Sequence, residues 1–374
     1  MAFSFVHTAD WQIGKAFGRF SAEVGGQLRA ARISVIDRIA AVARSVGADH
    51  VVVAGDVLDS ELIDDTTLRQ TLGRMSLHPE TIWLLLPGNH DPVRPGSIWG
   101  RIAALGPPSN VRLLLEPAVT EIAPGVALLP APLSARSLAS DPTAWMAGAA
   151  PAVGVIRIGV AHGSVQGFGS LGEAAVPIDA GRRSGAALDY LALGDWHGAR
   201  EIADAVWYAG TPEPDSFQDN GPGHVLVVRI AAAGSPATVE KVATSAYRWV
   251  ERRAQIARSG DLEPVEAWVR ALGAEAPRHL VSLVLEGSLS AGEATALDAG
   301  LDKMAAVLLA LDVDRGHLRI HVSTEDVGLI GDPALAGVAA RLVARAKAEG
   351  SEATVAAHAM QLLLSLETAV ESET

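Results

Sequence analysis

At 374 residues, with 49% hydrophobic and 20% charged residues, the chain is long enough for two or three domains and apolar enough to bury a core. It has no cysteine, which excludes disulfides and thiolate metal sites and allows a cytoplasmic setting. A formal charge of −13 argues against broad adhesion to nucleic acid or anionic membrane, leaves room for a local basic track, and suits a protein that gathers carboxylates around divalent cations. The first ten residues lack a basic segment followed by an apolar one, so no signal peptide is expected. No run approaches ~18 apolar residues, so no membrane-spanning helix is expected either.

In chain order, Phe3-Ser4-Phe5-Val6-His7 reads as a first strand. Leu28, Val35, Ile36, Ile39, Val42 and Val46 fall at helical spacing and predict an amphipathic helix over 27–46. A strand at 51–53, a helix over 64–77 and a strand over 82–86 follow, a strand-helix alternation that favours an α/β layered domain with parallel pairing. The middle of the chain is strand-rich, with candidates at 111–115, 119–122, 126–129, 155–160, 188–193, 206–208 and 225–230 and a helix at 141–148. So many strands predict two sheets packed face to face with helices outside. The stretch 163–187, rich in Gly, Ser and Ala, reads as a long functional or mobile loop. Near Ala246 a second unit begins. Its strands are expected at 248–256, 279–285 and 318–322, and its helices at 264–272 and 290–311. Asp332-Pro333 is a helix-start signal, and amphipathic helices are expected at 333–348 and 352–370. The tail after Glu371 is expected to fray.

The polar residues recur where strands end. Leu84-Leu85-Leu86 stops at Pro87-Gly88 and is followed at once by Asn89-His90-Asp91. Asp10-Trp11-Gln12, Gly55-Asp56-Val57-Leu58-Asp59, Ala161-His162-Gly163 and Gly194-Asp195-Trp196-His197 each follow another strand. Loops at strand ends can converge on one rim. Oxygen and imidazole donors without sulfur suit Mn²⁺, Mg²⁺, Fe or Zn²⁺.

This ordered series resembles the calcineurin-like metallophosphoesterases, whose blocks run D-x-H, GDxxD, GNH[D/E], a lone His and GHxH. Within that superfamily, His7-Thr8-Ala9-Asp10-Trp11 and Tyr208-Ala209-Gly210-Thr211-Pro212-Glu213 resemble the SbcD-type DNA-repair nucleases. The resemblance covers roughly 1–230 and implies a two-sheet sandwich flanked by helices over 1–240, a small α/β capping domain at 246–325 and C-terminal helices at 332–370. It also implies two metals bridged by Asp56. Asp10, Gln12 and His197 would complete the first site, and Asn89, His162 and Asp195 the second, while His90 would face the scissile phosphate. Gln12 and Asp195 each stand where the family usually has His. The change hardens the donor set, favouring Mn²⁺ or Mg²⁺ (or Fe²⁺) over Zn²⁺, and equally motivates a catalytically dead relative. The implied activity is two-metal hydrolysis of DNA, exonuclease-like. The alternatives are a phosphoesterase of small nucleotides and a non-catalytic scaffold. Implied partners are DNA, an SMC-like coiled-coil ATPase docked on the C-terminal helices, and a second copy of the chain.

Other residues carry plainer expectations. Asp59 and Asp91 are expected to hold loops, and His7 to be a core histidine. Trp11 and Trp196 are expected to pack under their loops in preference to stacking on a base. Lys15, Arg19, Arg29 and Arg32 are expected on a solvated helix face in preference to touching a phosphate backbone, and Arg182-Arg183 are read the same way.

Overall fold

Both faces of the first strand are apolar, so it needs cover on two sides. In β1 (Phe3–Thr8) Val6 turns toward helices while Phe5 turns toward a second sheet, and both are fully buried. The computed structural model describes residues 2–149, 154–167, 176–322, 324–347 and 351–373. The chain divides into two compact units, Met1–Ala246 and Tyr247–Thr374.

In the first unit, α1 (Ala22–Ser45), β2 (His50–Val53), α2 (Asp65–Ser76), β3 (Ile82–Leu85), α3 (Ile98–Leu105) and β4 (Val111–Leu113) follow β1. Next come β5 (Thr120–Ala123), β6 (Val126–Ala131), a 3₁₀ turn at Ala144–Gly148, β7 (Ile156–His162), β8 (Ser164–Val165), β9 (Pro177–Ile178) and the single turn α4 (Arg182–Gly185). β10 (Tyr190–Gly194), β11 (Arg200–Ala203), β12 (Val206–Tyr208), β13 (His224–Ile230) and β14 (Ala237–Ala243) complete it. One six-stranded sheet has the order β14-β13-β1-β2-β3-β4, the other β11-β12-β10-β7-β6-β5. β1 to β4 run parallel, as do β6, β7, β10 and β12, while the outer strands β13, β14, β5 and β11 are antiparallel.

Phe5, Val52, Leu84 and Leu226 of the first sheet meet Leu128, Ile158, Tyr190 and Ala192 of the second in one buried core. The opposite face of the first sheet, with Val51, Val53 and Trp83, is covered by Val35, Ile36 and Ile39 of α1, Leu72 of α2 and Trp99 of α3. The architecture is thus mixed α/β, two sheets flanked by helices. Register decides where the strands end together. Thr8 pairs with Val53 and Val53 with Leu85, so the loops after β1, β2 and β3 leave the same edge. In the second sheet His162 pairs with Gly194.

The second unit holds a parallel sheet of β15 (Arg248–Ile256), β16 (His279–Ser290) and β17 (Ala310–His321). α5 (Glu263–Leu272) and α6 (Ala291–Ala305) pack on it through Val265, Val269, Leu297 and Leu301 against Val281, Leu283 and Leu285. α7 (Thr324–Val327), α8 (Pro333–Ala346) and α9 (Ser351–Glu373) follow, with Val343, Met360 and Leu364 packed on Ala291 at the start of α6. Asp332 caps α8, accepting from Ala334 and Leu335, with Pro333 at its first turn as the sequence signal predicts.

Several elements depart from expectation. The helix placed at 27–46 starts earlier, capped by Ser21, whose hydroxyl accepts from Val24. Gly25-Gly26, poor helix formers, hide that start. The helix expected over 290–311 ends at Ala305, because the sheet takes the following apolar run into β17, pairing Leu280 with Ala310. Of the loop at 163–187, residues 176–187 form β9 and α4, and 168–175 lie outside the described residues. Among the described residues, no helix is long and apolar enough to cross a membrane.

Candidate metal centre

Parallel strands that stop in register release their loops at one rim, and here the rim is cross-linked through backbone. Asp10 N donates to Gly55 O (3.1 Å), Gln12 N to Asp56 O (3.0 Å) and Ile13 N to Val57 O (3.1 Å), so the first two corners are zipped together. Four of the polar corner residues have left-handed backbone: Asp10 (φ 53°), Gln12 (48°), Asp56 (51°) and Asp195 (105°). Such conformations cost about 1–3 kcal/mol each and persist where the surroundings over-determine them. Two glycines make room. A Cβ on Gly55, itself at φ +92°, would lie 2.2 Å from His162 Nδ1, and one on Gly88 would lie 2.1 Å from Asp56 Oδ1.

Asp56 is the hub. Its Oδ2 accepts from Gln12 Nε2 (2.7 Å) and its Oδ1 from the His90 backbone N–H (2.9 Å). His162 Nδ1 donates to Ala54 O (2.9 Å), and Nε2 on the other side of the ring donates to Asn89 Oδ1 (3.2 Å) and faces Asp56 Oδ1 (3.5 Å) and Asp195 Oδ1 (3.9 Å). Asp10, Asp56 and His162 are all buried, and each offers a ligand atom within 4.8 Å of the other two. Asp195 is tied to Asp10 by its own N–H (3.0 Å to Oδ1), and its Oδ2 accepts from Ser164 Oγ (2.7 Å). His197 Nδ1 is turned to Asp215 Oδ1 (3.1 Å).

Charge is crowded here. Burial, with Asp56 and Asp195 beside it, pushes Asp10 up to about 6 against the opposing charges of His197 and His162. Burial alone would lower His162, but Asp56, Asp10 and Asp195 outweigh it and raise it to about 9. His197 is likewise raised against its burial, by the bond to Asp215 and the charge of Asp10. A buried pocket with carboxylates in excess of its cations has the electrostatics of a cation site.

The donors fit a divalent metal. Gln12 Oε1 is buried with no hydrogen-bond partner among the described residues, an unused acceptor on the side chain whose amide bonds Asp56. Oxygen and imidazole donors of this kind suit Mn²⁺, Mg²⁺ or Fe²⁺. Asp10, Gln12, Asp56 and His197 could hold one ion, and Asp56, Asn89, His162 and Asp195 another. His90 stands at the rim with its side chain 47% exposed; Nδ1 donates to Asp59 O (2.8 Å) and Nε2 lies 3.9 Å from Asp56 Oδ2.

The supporting residues divide into those foreseen and those missed. Asp91 is buried and accepts from Gly88 N (2.6 Å) and Leu58 N (3.0 Å), pinning the third corner to the second. His7 is a core histidine bonded to Tyr190 Oη (3.0 Å) and Leu193 O (3.2 Å). Trp11 is buried edge-on to Trp83, under its loop. In the basic cluster Arg19 and Arg29 are exposed, as expected, and Lys15 is partly so, but Arg32 is not on a solvated face. Arg32 is buried and reaches Trp11 O, Glu213 O and Asp215; Lys15 pairs with Asp215 (2.8 Å); Arg29 bonds Ala16 O; and Arg19 lies over the Phe20 and Phe217 rings. Arg182 and Arg183 are also engaged, with Asp141 and Asp204. Arg32 had a sequence signal, since 28, 32, 35 and 39 share one helix face and the other three are apolar. Asp215 and Ser164 had none, because their partners lie in distant segments. His197, Arg32 and Lys15 hold Asp215 well below the usual carboxylate range despite its burial.

Residues 3–164 match the model of the calcineurin-like phosphoesterase family. The match takes in somewhat under half of the chain, and supports a calcineurin-like phosphoesterase domain there. That stretch carries Asp10, Gln12, Asp56, Asn89, His90 and His162, while Asp195, His197 and Asp215 lie beyond it. A solved crystal structure is also similar, at 10% identity and a TM-score of 0.43, covering 64% of this chain and 99% of that one. No curated protein matches the chain.

Proposed function

We propose that the chain is a metal-dependent phosphodiesterase of the SbcD-like nuclease type, cutting DNA by hydrolysis. The observation that carries the metal-dependent part is the buried cluster of Asp10, Asp56 and His162, whose ligand atoms lie within 4.8 Å of one another; that Asp56 is shared between two ions is what the family resemblance implies. Two bound divalent cations would supply the positive charge that makes water a nucleophile at neutral pH and offsets charge on the phosphoryl oxygens. The chain's own residues do the rest. Asp91 and Ser164 orient loops and ligands, and Asp215 holds the His197 ring with Nδ1–H committed. His90, with Nδ1 donating to Asp59, has Nε2 available to a scissile phosphate at the rim, to stabilise its charge or protonate the leaving oxygen. The nuclease reading rests on the SbcD-like motifs and on the second unit that follows the phosphoesterase domain.

An activity panel with Mn²⁺, comprising linear duplex, single strand and a chromogenic phosphodiester, tests this. Turnover of either polynucleotide, lost in His90→Ala, is expected. Turnover of the small substrate alone overturns the nuclease reading in favour of a small-nucleotide phosphoesterase. A second reading, a non-catalytic scaffold, is favoured by the Gln12 amide donating to Asp56 where the family usually has an imidazole. Equal inertness of wild type and His90→Ala across metals would establish it. We extend the proposal to partners: exposed Val355, Leu362 and Leu366 on α9 suit an SMC-like coiled-coil ATPase, tested by co-purification, and self-association is tested by sedimentation. A cytoplasmic setting belongs to the same reading.

A further inference from the structure

Beside the third corner of the candidate centre is a small cavity that the reaction chemistry leaves unused. It has a volume near 170 Å³ and is lined by Glu61, Pro92, Arg94, Ser134, Ala135 and Arg136. Pro92 is two residues past His90, so the cavity begins within about 7 Å of chain from the side chain that would face the scissile phosphate. The segment leaving β6 is stitched to that corner from both sides, by Val93 N to Leu133 O (2.7 Å) and Leu133 N to Pro87 O (3.4 Å). The cavity wall is therefore an extension of the catalytic corner.

Its charge is specific. Arg94 closes a two-pronged pair on Glu61, Nε to Oε1 at 3.1 Å and a second bond to Oε2, so those two charges cancel. Arg136 has no ion pair or hydrogen bond among the described residues and is exposed. The wall thus carries one uncompensated guanidinium, with the Ser134 hydroxyl beside it, on a chain whose net charge is −13. A volume of roughly five or six waters admits a phosphate group and leaves little room for a base and sugar.

We propose that Arg136, with Ser134 and the outer edge of Arg94, binds a backbone phosphate neighbouring the scissile one. The inference rests on the phosphodiesterase reading and narrows its substrate toward a polynucleotide strand, since a mononucleotide or chromogenic diester has only the scissile phosphate to offer. One local cation at the cleft is what an acidic protein needs to hold a polyanion in register.

The test is binding of a fluorescent single-stranded oligonucleotide, followed by anisotropy across salt concentrations without divalent metal, for wild type, Arg136→Ala, Arg136→Glu, Arg136→Lys and Arg112→Ala. Arg112 is an exposed cation on the edge strand β4 and serves as the control for overall charge. Arg136→Ala is expected to weaken binding about three- to tenfold and to reduce the salt slope by about 0.7. Arg136→Glu should lose more, Arg136→Lys should retain most of the affinity, and Arg112→Ala should match wild type. Two results overturn the subsite: wild type fails to bind, or Arg136→Ala and Arg136→Glu bind with unchanged affinity and slope. The same preparations assayed with Mn²⁺ separate the two claims. Oligonucleotide cutting with unaltered Arg136 variants sinks the subsite alone, whereas hydrolysis of a chromogenic diester without oligonucleotide binding sinks the nuclease reading as well.

Discussion

Burial, together with the Asp56 and Asp195 carboxylates, pushes Asp10 up to about 6, so at neutral pH the folded chain carries that charge at a cost. The sign follows from linkage. The unfolded Asp is already ionised above about pH 4, so the penalty grows as pH rises to about 6 and stays in place beyond it. Asp10→Asn keeps an oxygen for the Asp195 N–H and removes the charge. Metal-free Asp10→Asn is therefore expected to resist urea better than wild type, by about 1–3 kcal/mol at pH 7, and Mn²⁺, expected to stabilise wild type, should not stabilise the variant. A less stable variant, or one still stabilised by Mn²⁺, would contradict the role given to Asp10. Asp215 makes the complementary case. Asp215→Asn leaves an acceptor for His197 but removes the charge facing Lys15 and the buried Arg32. Weaker Mn²⁺ binding, by about 10–100-fold in calorimetry, is expected. At this scale the sequence was legible where a residue's chemistry and its place after a strand coincide, as for Asp10, Asp56 and His162, which the structure brings together. It was not legible where a role depends on a neighbour far along the chain, as for Asp215 or for Ser164, which meets Asp195.

At the scale of elements, the corners depend on glycines that allow close approach. Gly55→Ala would force a non-glycine residue to φ +92° and drive a methyl to 2.2 Å from His162 Nδ1. The expected loss is about 3 kcal/mol, or roughly 6–12 °C in thermal melting, and melting within a degree or two of wild type would show that the corner can relax. The central strands could be read from sequence because burial on both faces demands unbroken apolar runs, as in Val51-Val52-Val53. β11 and β14 were not foreseen, being edge strands with exposed residues and no such run. α3 was missed because eight residues after a Pro-Gly turn give too few periods to count.

For the whole molecule, the face-to-face sheets that the strand count predicts are present, but how residues meet across that core comes from the folded contacts. His7 is the clearest case. Sealed between the sheets, it is lowered to about 3 by burial, against the bond it makes to Leu193. Because the unfolded His titrates near 6.5, the unfolded chain binds the extra proton first, and stability falls by about 1.4 kcal/mol per pH unit as pH drops from 6.5 toward 3. Because the Asp10 contribution runs the other way below pH 6 and is common to both proteins, the test is the difference in urea stability between wild type and His7→Asn in chelator at pH 7, 6 and 5, which should change with this slope; a constant difference would remove His7 from the acid response. The four left-handed corners bear on a different property, the thermodynamics of ion capture. Asp10, Gln12 and Asp56 are held by zipped backbone and Asp195 by its N–H to the Asp10 carboxylate, so the donors are arrayed before an ion arrives and little chain freedom remains to be surrendered. Titration of Mn²⁺ into the chain at several temperatures should then give a nearly constant heat, the mark of a preformed cage rather than one that folds around its guest.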